Sequence, residues 1–215
     1  MKRTAITILL LIAIAGMALA WLNVTSQGKK FEALHIPATP VKNKARSIPI
    51  EKLAIHSREA RLFVENNRYN TDFYFLIDLS LLSGQKRFFI YDLKKDSLLT
   101  SGLVTHGNCN QYWLEGRRYD NVVGCGCSSL GKYRVGVSYQ GRFGLAYKLH
   151  GLDSTNSNAF KRYVVLHSHE CVPENEVTTE ICQSNGCPTV SPEFLKHLER
   201  MIKGSKKPVL MWITE

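Results

Sequence analysis

Asp72-Phe-Tyr-Phe-Leu-Ile-Asp78 and Lys86-Arg-Phe-Phe-Ile-Tyr91 are short runs of aromatic and β-branched residues, with Ser83-Gly84 between them. Runs of this length and composition, bounded by turn residues, read as consecutive strands. Working outward, Lys94-Lys95-Asp96 punctuates the chain before a third run, Leu98 to Thr105. Further strands are expected over Gly131 to Tyr139, Gly144 to His150, Tyr163 to His167 and Pro208 to Ile213, with Gly141 supplying a turn. Three helical segments accompany them. Ile50 to Asn66 carries Leu53, Ala54, Ala60, Phe63 and Val64 at helical spacing. Asn156 to Lys161 is a short helix candidate, and Pro192 to Lys203 begins after Ser191 as N-cap and stops at Gly204. The expected fold is mainly β, a mixed sandwich or barrel-like core with a few short helices. The aromatic alternation of Phe73, Tyr74, Phe75, Phe88, Phe89 and Tyr91 belongs to that core rather than to a carbohydrate platform.

The 215 residues hold one medium domain plus a targeting segment and a linker. Lys2 and Arg3 precede an unbroken run of apolar and small residues, Ala5 to Ala20. Ala18-Leu19-Ala20 fits a cleavage site, so residues 1–22 read as a signal peptide or, left uncleaved, a signal anchor. Residues 23–47 are polar and basic, broken by Pro37 and Pro40, and read as a linker before a domain over residues 48–215. The domain is thus expected outside the cytoplasm, in the periplasm or cell envelope, touching membrane only through an uncleaved N-terminal segment. The net charge of +10 fits work near anionic envelope polymers. Lys and Arg are scattered and no nucleic-acid-binding motif occurs, so nucleic acid is not an expected partner.

Chemistry concentrates in Tyr163-Val-Val-Leu-His-Ser-His169 and Ser184-Asn-Gly-Cys-Pro188. An apolar strand ending in His167 would hold an imidazole on a rigid element, and Ser184-Asn185-Gly186 forms a turn that presents Cys187. Gly186 allows close backbone approach to a scissile carbonyl, where its N–H can help bind an oxyanion. A thiol needs a base to react at neutral pH, and a His distant in sequence but near in the fold provides one.

These residues resemble the L,D-transpeptidase catalytic domain (YkuD-like) family, whose signature is a strand-end His followed by Ser/Thr-His-Gly-Cys; the branch with S-x-G-C-P is the most similar. Phe75-Leu-Ile-Asp78, Val104-Thr-His-Gly107, Ser128-Ser-Leu-Gly131, Leu149-His-Gly-Leu152, Asn156-Ser-Asn-Ala159 and Arg162-Tyr-Val-Val-Leu-His167 carry the resemblance further, over about Asp72 to Thr214. It implies a peptidoglycan acyl transferase that cleaves an L–D amide in a stem peptide and passes the acyl group to an amine or to water. Cys187 would be nucleophile and His167 base, with the Ser168 carbonyl orienting the imidazole and the N–H groups of Gly186 and Cys187 forming the oxyanion hole. Ser184 holds the motif's Ser/Thr position and Asn185 replaces its His. Pro188-Thr189 stands where many relatives carry a substrate-binding Arg. The resemblance also places Ser128 and Ser129 near the substrate groove, although turn chemistry before Gly131 is the favoured account of them. No cofactor is implied.

Competing readings attach to the same residues. His169 is a pocket-wall residue and the second choice as base. His167 and His169 with His106, Cys109 or His150 would make a zinc set, but their spacing matches no familiar zinc signature, so no metal is expected. With Cys187 set aside, five cysteines remain. Cys171 and Cys182 bracket an acidic loop, where a disulfide would staple an active-site lid. Cys109 is expected to bridge one member of Cys125-Gly126-Cys127. A hydrolytic L,D-carboxypeptidase of the same fold and a non-catalytic wall-binding module complete the alternatives.

Overall fold

A computed structural model describes residues 50–215; the expected leader or anchor and the linker lie outside them. The elements run α1 (Ile50–Asn66), β1 (Phe73–Asp78), β2 (Phe88–Asp92), β3 (Ser97–Gly102), β4 (Gly131–Gly141), β5 (Gly144–Gly151), a 3₁₀ turn (Ser154–Asn156), β6 (Val165–Ser168), β7 (Thr189–Val190), α2 (Pro192–Gly204) and β8 (Val209–Thr214). The architecture is mainly β. One eight-stranded mixed sheet has the order β3-β2-β1-β8-β4-β5-β6-β7. The β1–β8 and β6–β7 pairs are parallel and the other pairs antiparallel.

Strand alternation explains why the apolar runs are unbroken. Phe75 and Ile77 of β1 join Phe88, Ile90, Tyr133, Leu149, Met211 and Ile213 on one face, against Phe194, Leu195 and Leu198 of α2. Their neighbours Tyr74 and Leu76 point the other way, with Phe89, Tyr91, Leu210 and Trp212, against Ala60 and Val64 of α1. Central strands covered on both faces need apolar residues at every position, and all six residues of β8 are buried. Truncating a fully buried ring here, such as Phe88, should cost about 3–5 kcal/mol. Helix α2 starts as expected, with the Ser191 side chain accepting from Phe194 N and Pro192 in the first turn.

The segment read as a helix over Asn156 to Lys161 is instead the 3₁₀ turn and the turns that follow it. Side chains compete for the backbone there. Asn156 is buried, accepts from Asp153 N at 2.9 Å and donates to the Lys132 carbonyl at 2.9 Å. The turns close in a Schellman pattern: Val164 N donates to Ala159 O, Tyr163 N donates to Phe160 O, and Tyr163 takes the left-handed position with φ +56°. Among the described residues no helix is long and apolar enough to cross a membrane.

Candidate active site

Strand β6 carries His167 at the rim of the sheet, paired with Ala146 of β5 on one side and Thr189 of β7 on the other. Leu166 and Tyr147 point into the core, so Val165 and His167 face the opposite side, with Lys148 paired to Val165. The S-x-G-C-P turn ends at β7, and its hydrogen bonds show how these residue types fix Cys187. Ser184 Oγ accepts from Gly186 N at 3.2 Å and donates to the Cys187 carbonyl at 2.7 Å. The hydroxyls of Thr105 and Thr189 approach the same carbonyl at 3.2 and 3.3 Å. Gly186 is required on two grounds. Its φ is +103°, and a Cβ there would stand 2.6 Å from the Cys127 carbonyl oxygen.

Cys187 and His167 line one cavity of about 240 Å³ together with Thr105, Phe143, His169, Cys171, Gln183, Ser184, Asn185 and Thr189. The thiol and the imidazole share this space without a hydrogen bond between them. The half-buried thiol accepts from Val165 N at 3.5 Å and donates to the Tyr163 carbonyl at 3.8 Å. His167 Nδ1 donates to the Ser168 carbonyl at 3.0 Å, which fixes the tautomer and leaves Nε2 as the acceptor. At present Nε2 accepts from the Thr189 hydroxyl at 3.1 Å. Phe143, from the β4–β5 turn, stacks on the His167 ring at 5.2 Å and meets His169 edge-on at 5.3 Å.

The electrostatics favour neutral forms of both groups. Burial pushes the Cys187 thiol up, opposed by the Val165 N–H and by the positive charge of Arg162. Burial also lowers His167, against the raising effect of the Ser168 carbonyl, and His169 adds to the lowering. The resting arrangement is therefore a thiol and a neutral imidazole, ready to accept a proton, rather than a thiolate–imidazolium pair.

The oxyanion-hole candidates differ. Gly186 N–H is directed to Ser184 Oγ, whereas Cys187 N–H makes no hydrogen bond to another described residue. His169 is exposed, and its Nδ1 accepts from Cys171 N at 3.1 Å, so it secures the start of the following loop. Ser128 and Ser129 are buried and do not line the cavity. Ser128 Oγ accepts from Gly107 N, and Ser129 Oγ meets Tyr133 Oη at 2.7 Å and accepts from Arg162 Nη1 at 3.0 Å. Among the described residues no three His, Cys, Asp or Glu side chains converge as a metal-ligand set.

Cys171 is bonded to Cys182 and Cys109 to Cys127, leaving Cys125 and Cys187 as free thiols. The loop from Cys171 to Cys182 is a fastened strap rather than a cover. Glu174 accepts from Ser191 Oγ and Glu193 N at the start of α2, and Glu176 accepts from Lys86 N. Glu180 accepts from Ser83 Oγ and from Arg117 Nη2. The acidic residues that suggested a charged lid are thus spent on anchoring, and only Cys171 of the loop reaches the cavity.

Sequence reasoning missed four contributors. Thr105 braces Cys187 and Thr189, with Thr189 N donating to its hydroxyl at 3.2 Å. Gln183 bonds both the N–H and the carbonyl of Leu114 at 2.8 Å. Phe143 comes from a hairpin tip, where no local pattern points to the site. Arg162 places its guanidinium against the Cys127 and Asp120 carbonyls and Ser129 Oγ, behind Gly186. Beneath the turn, His106 is fully buried; Arg87 Nη2 donates to its Nδ1 at 3.1 Å, and Arg117 Nη1 stands 3.4 Å from its Nε2. Burial and the two guanidiniums push His106 down to about 3, and its carbonyl receives Ser184 N at 2.9 Å.

No curated protein matches the sequence. Several solved structures resemble it at low identity, these three among them. An L,D-transpeptidase (residues 123-326) from Xylanimonas cellulosilytica is 16% identical, with TM-score 0.38, over 68% of this chain and 62% of that one. An L,D-transpeptidase from Mycobacterium smegmatis is 9% identical, with TM-score 0.40, over 67% and 59%. The helical cell shape determining protein Pgp2 (K307A mutant) from Campylobacter jejuni is 12% identical, with TM-score 0.45, over 75% and 57%. The chain thus spans about three fifths of the length of these structures. A family model matches residues 42–212, most of the sequence, and its description is the L,D-transpeptidase catalytic domain. The chain belongs to the L,D-transpeptidase catalytic domain family.

Proposed function

We propose that this protein is an exported cysteine acyltransferase acting on peptidoglycan stem peptides. The observation that carries the reading is the shared cavity of Cys187 and His167, with the imidazole held by Ser168 in the tautomer that leaves Nε2 as acceptor. Substrate entry displaces the Thr189 hydroxyl from Nε2, and the thiol turns from the Tyr163 carbonyl towards the imidazole. His167 takes the thiol proton as sulfur attacks the carbonyl carbon of the amide between an L-centre and a D-residue. Cys187 N–H, with Gly186 N–H once released from Ser184, holds the developing oxyanion. Collapse breaks the C–N bond, and the D-amino acid leaves with the proton from His167. An amine then attacks the thioester, gives its proton to Nε2, and forms a new amide as the thiol is regenerated; water in its place gives a carboxylate. The two free cysteines among six, beside two disulfides, fit a secreted protein in which Cys187 is kept for chemistry. The periplasm or cell envelope is the compartment this reading requires, and no cofactor enters it.

Intact-mass measurement after incubation with a tetrapeptide stem or a carbapenem tests the reading. An adduct on Cys187 that disappears in Cys187→Ser supports it. Cross-linked product after adding an amine acceptor marks transfer, and tripeptide alone marks the carboxypeptidase. A folded wild-type protein that forms no adduct supports the wall-binding module instead.

A further inference from the structure

A second cavity, about 270 Å³, lies beside the nucleophile and is lined by Tyr139, Lys148, Phe160, Tyr163, Val164 and Val165. It shares its wall with the thiol, since Val165 N–H and the Tyr163 carbonyl are the groups that hold Cys187 Sγ. Lys148 pairs directly across the sheet from Val165, on the same outward face as His167. The sulfur is therefore flanked by the His167 cavity on one side and by the Lys148 cavity on the other.

Two independent features mark this second cavity as more than a surface dent. The first is charge. Lys148 is half-buried, its ammonium sits 5.7 Å from the Tyr139 ring centre and 5.6 Å from that of Phe160, and no carboxylate among the described residues pairs with it. An ammonium held between aromatic walls, with water partly excluded, attracts an anion more strongly than one in open solvent. The second is strain. Tyr163 is 85% exposed yet occupies the left-handed position that glycine normally fills, at φ +56°. An exposed ring adds nothing to the core that offsets this backbone cost, so its position beside the thiol needs another explanation.

We propose that this cavity binds the D-residue on the leaving side of the scissile amide, with Lys148 pairing to its C-terminal carboxylate and the rings of Tyr139, Phe160 and Tyr163 enclosing its side chain. The inference rests on the stem-peptide reading above and assigns the half of the substrate that the His167 cavity does not hold. The reach is consistent. One residue spans at most about 3.6 Å, and side chains paired across two strands start about 5 Å apart. A carboxylate one residue beyond a carbonyl at Sγ thus falls in the range of the Lys148 side chain. A carboxylate on a glycan or on a longer peptide tail would not be held at this spacing.

The test uses the Cys187→Ala chain and two probes, a tetrapeptide stem with a free C-terminal carboxylate and the same peptide as its C-terminal amide, with binding measured by calorimetry. The free acid should bind on the order of tenfold more tightly than the amide, and Lys148→Met should erase that difference by weakening the acid alone. Lys148→Arg should restore part of it. Tyr163→Gly should weaken both peptides while raising the melting temperature, because glycine relieves the left-handed backbone. Equal binding of acid and amide to the Lys148 chain overturns the proposal, whether or not any variant folds. So does a preference for the acid that survives Lys148→Met. Acylation of the wild-type chain by the same tetrapeptide, read by mass, is recorded in parallel. Its presence with no acid preference sinks this inference alone, and its absence sinks the stem-peptide reading.

Discussion

The neutral resting pair makes a sharp kinetic prediction for Cys187. Iodoacetamide reacts with thiolate, so its rate at a fixed concentration follows the thiolate fraction. An ordinary thiol near 8.5 would be about 3% ionised at pH 7. Burial moves Cys187 above its ordinary value, so its fraction falls below that, and alkylation should rise close to tenfold per pH unit from pH 6 to 8 with no plateau. Acylation by a bound stem peptide has a different requirement, a neutral His167 at the moment of proton transfer. Burial holds His167 below its ordinary value of 6.5, so the acylation rate should stay level from pH 7 down past that point and fall only as the ring protonates. The assay follows the Cys187 peptide by mass after timed quenching, because Cys125 is also free and would contaminate a bulk thiol count. A plateau in alkylation between pH 5 and 7 would reveal a standing thiolate–imidazolium pair and refute the argument from burial.

Gly186→Ala should destabilise the fold by about 2–4 kcal/mol, since the new Cβ meets a backbone carbonyl and the residue keeps a left-handed φ. Thermal unfolding should show the midpoint fall by roughly 5–15 °C. His167→Ala should slow adduct formation with a carbapenem by about 10²–10⁴-fold, while Asn185→Ala, at an exposed cavity-wall position, should change it little; stopped-flow acylation compares the two. His106 binds no proton in the native state until about pH 3, whereas the unfolded chain binds one below its ordinary 6.5. Its contribution is therefore present above 6.5 and is lost as pH falls through that window, at up to about 1.4 kcal/mol per pH unit. Denaturant titrations should show a shallower acid limb in His106→Gln than in wild type, and parallel limbs would refute this assignment.

What the sequence made legible follows the range of the interactions involved. The strands over Phe73 to Asp92 and helix α2 were readable because burial on both faces and the Ser191 cap act within a few residues. The Cys187 turn was readable for the same reason, as Ser184, Gly186 and Cys187 bond to one another across three positions. The 3₁₀ turn at Ser154–Asn156 was misread because Asn156 is committed to Lys132, 24 residues away. Phe143 and Thr105 reach the site only through sheet register and a long-range bridge, the pairing of Ala146 with His167 and of Val104 with Val190. The acidic loop shows the converse error. The loop carrying Glu174, Glu176 and Glu180 was expected to cover the active site, yet each carboxylate accepts from a backbone or hydroxyl donor on a different element. A carboxylate bonded in this way gains from each N–H it accepts, and three such anchors, with the Cys171–Cys182 bond, fasten the strap to neighbouring elements and leave only Cys171 at the cavity wall. Phe143 lines the His167 cavity and Tyr163 lines the neighbouring Lys148 cavity. Both are exposed, Phe143 against the rings of His167 and His169 and Tyr163 in a left-handed backbone position. Any variation in substrate choice should therefore trace to those two residues before it traces to the loop between the cysteines.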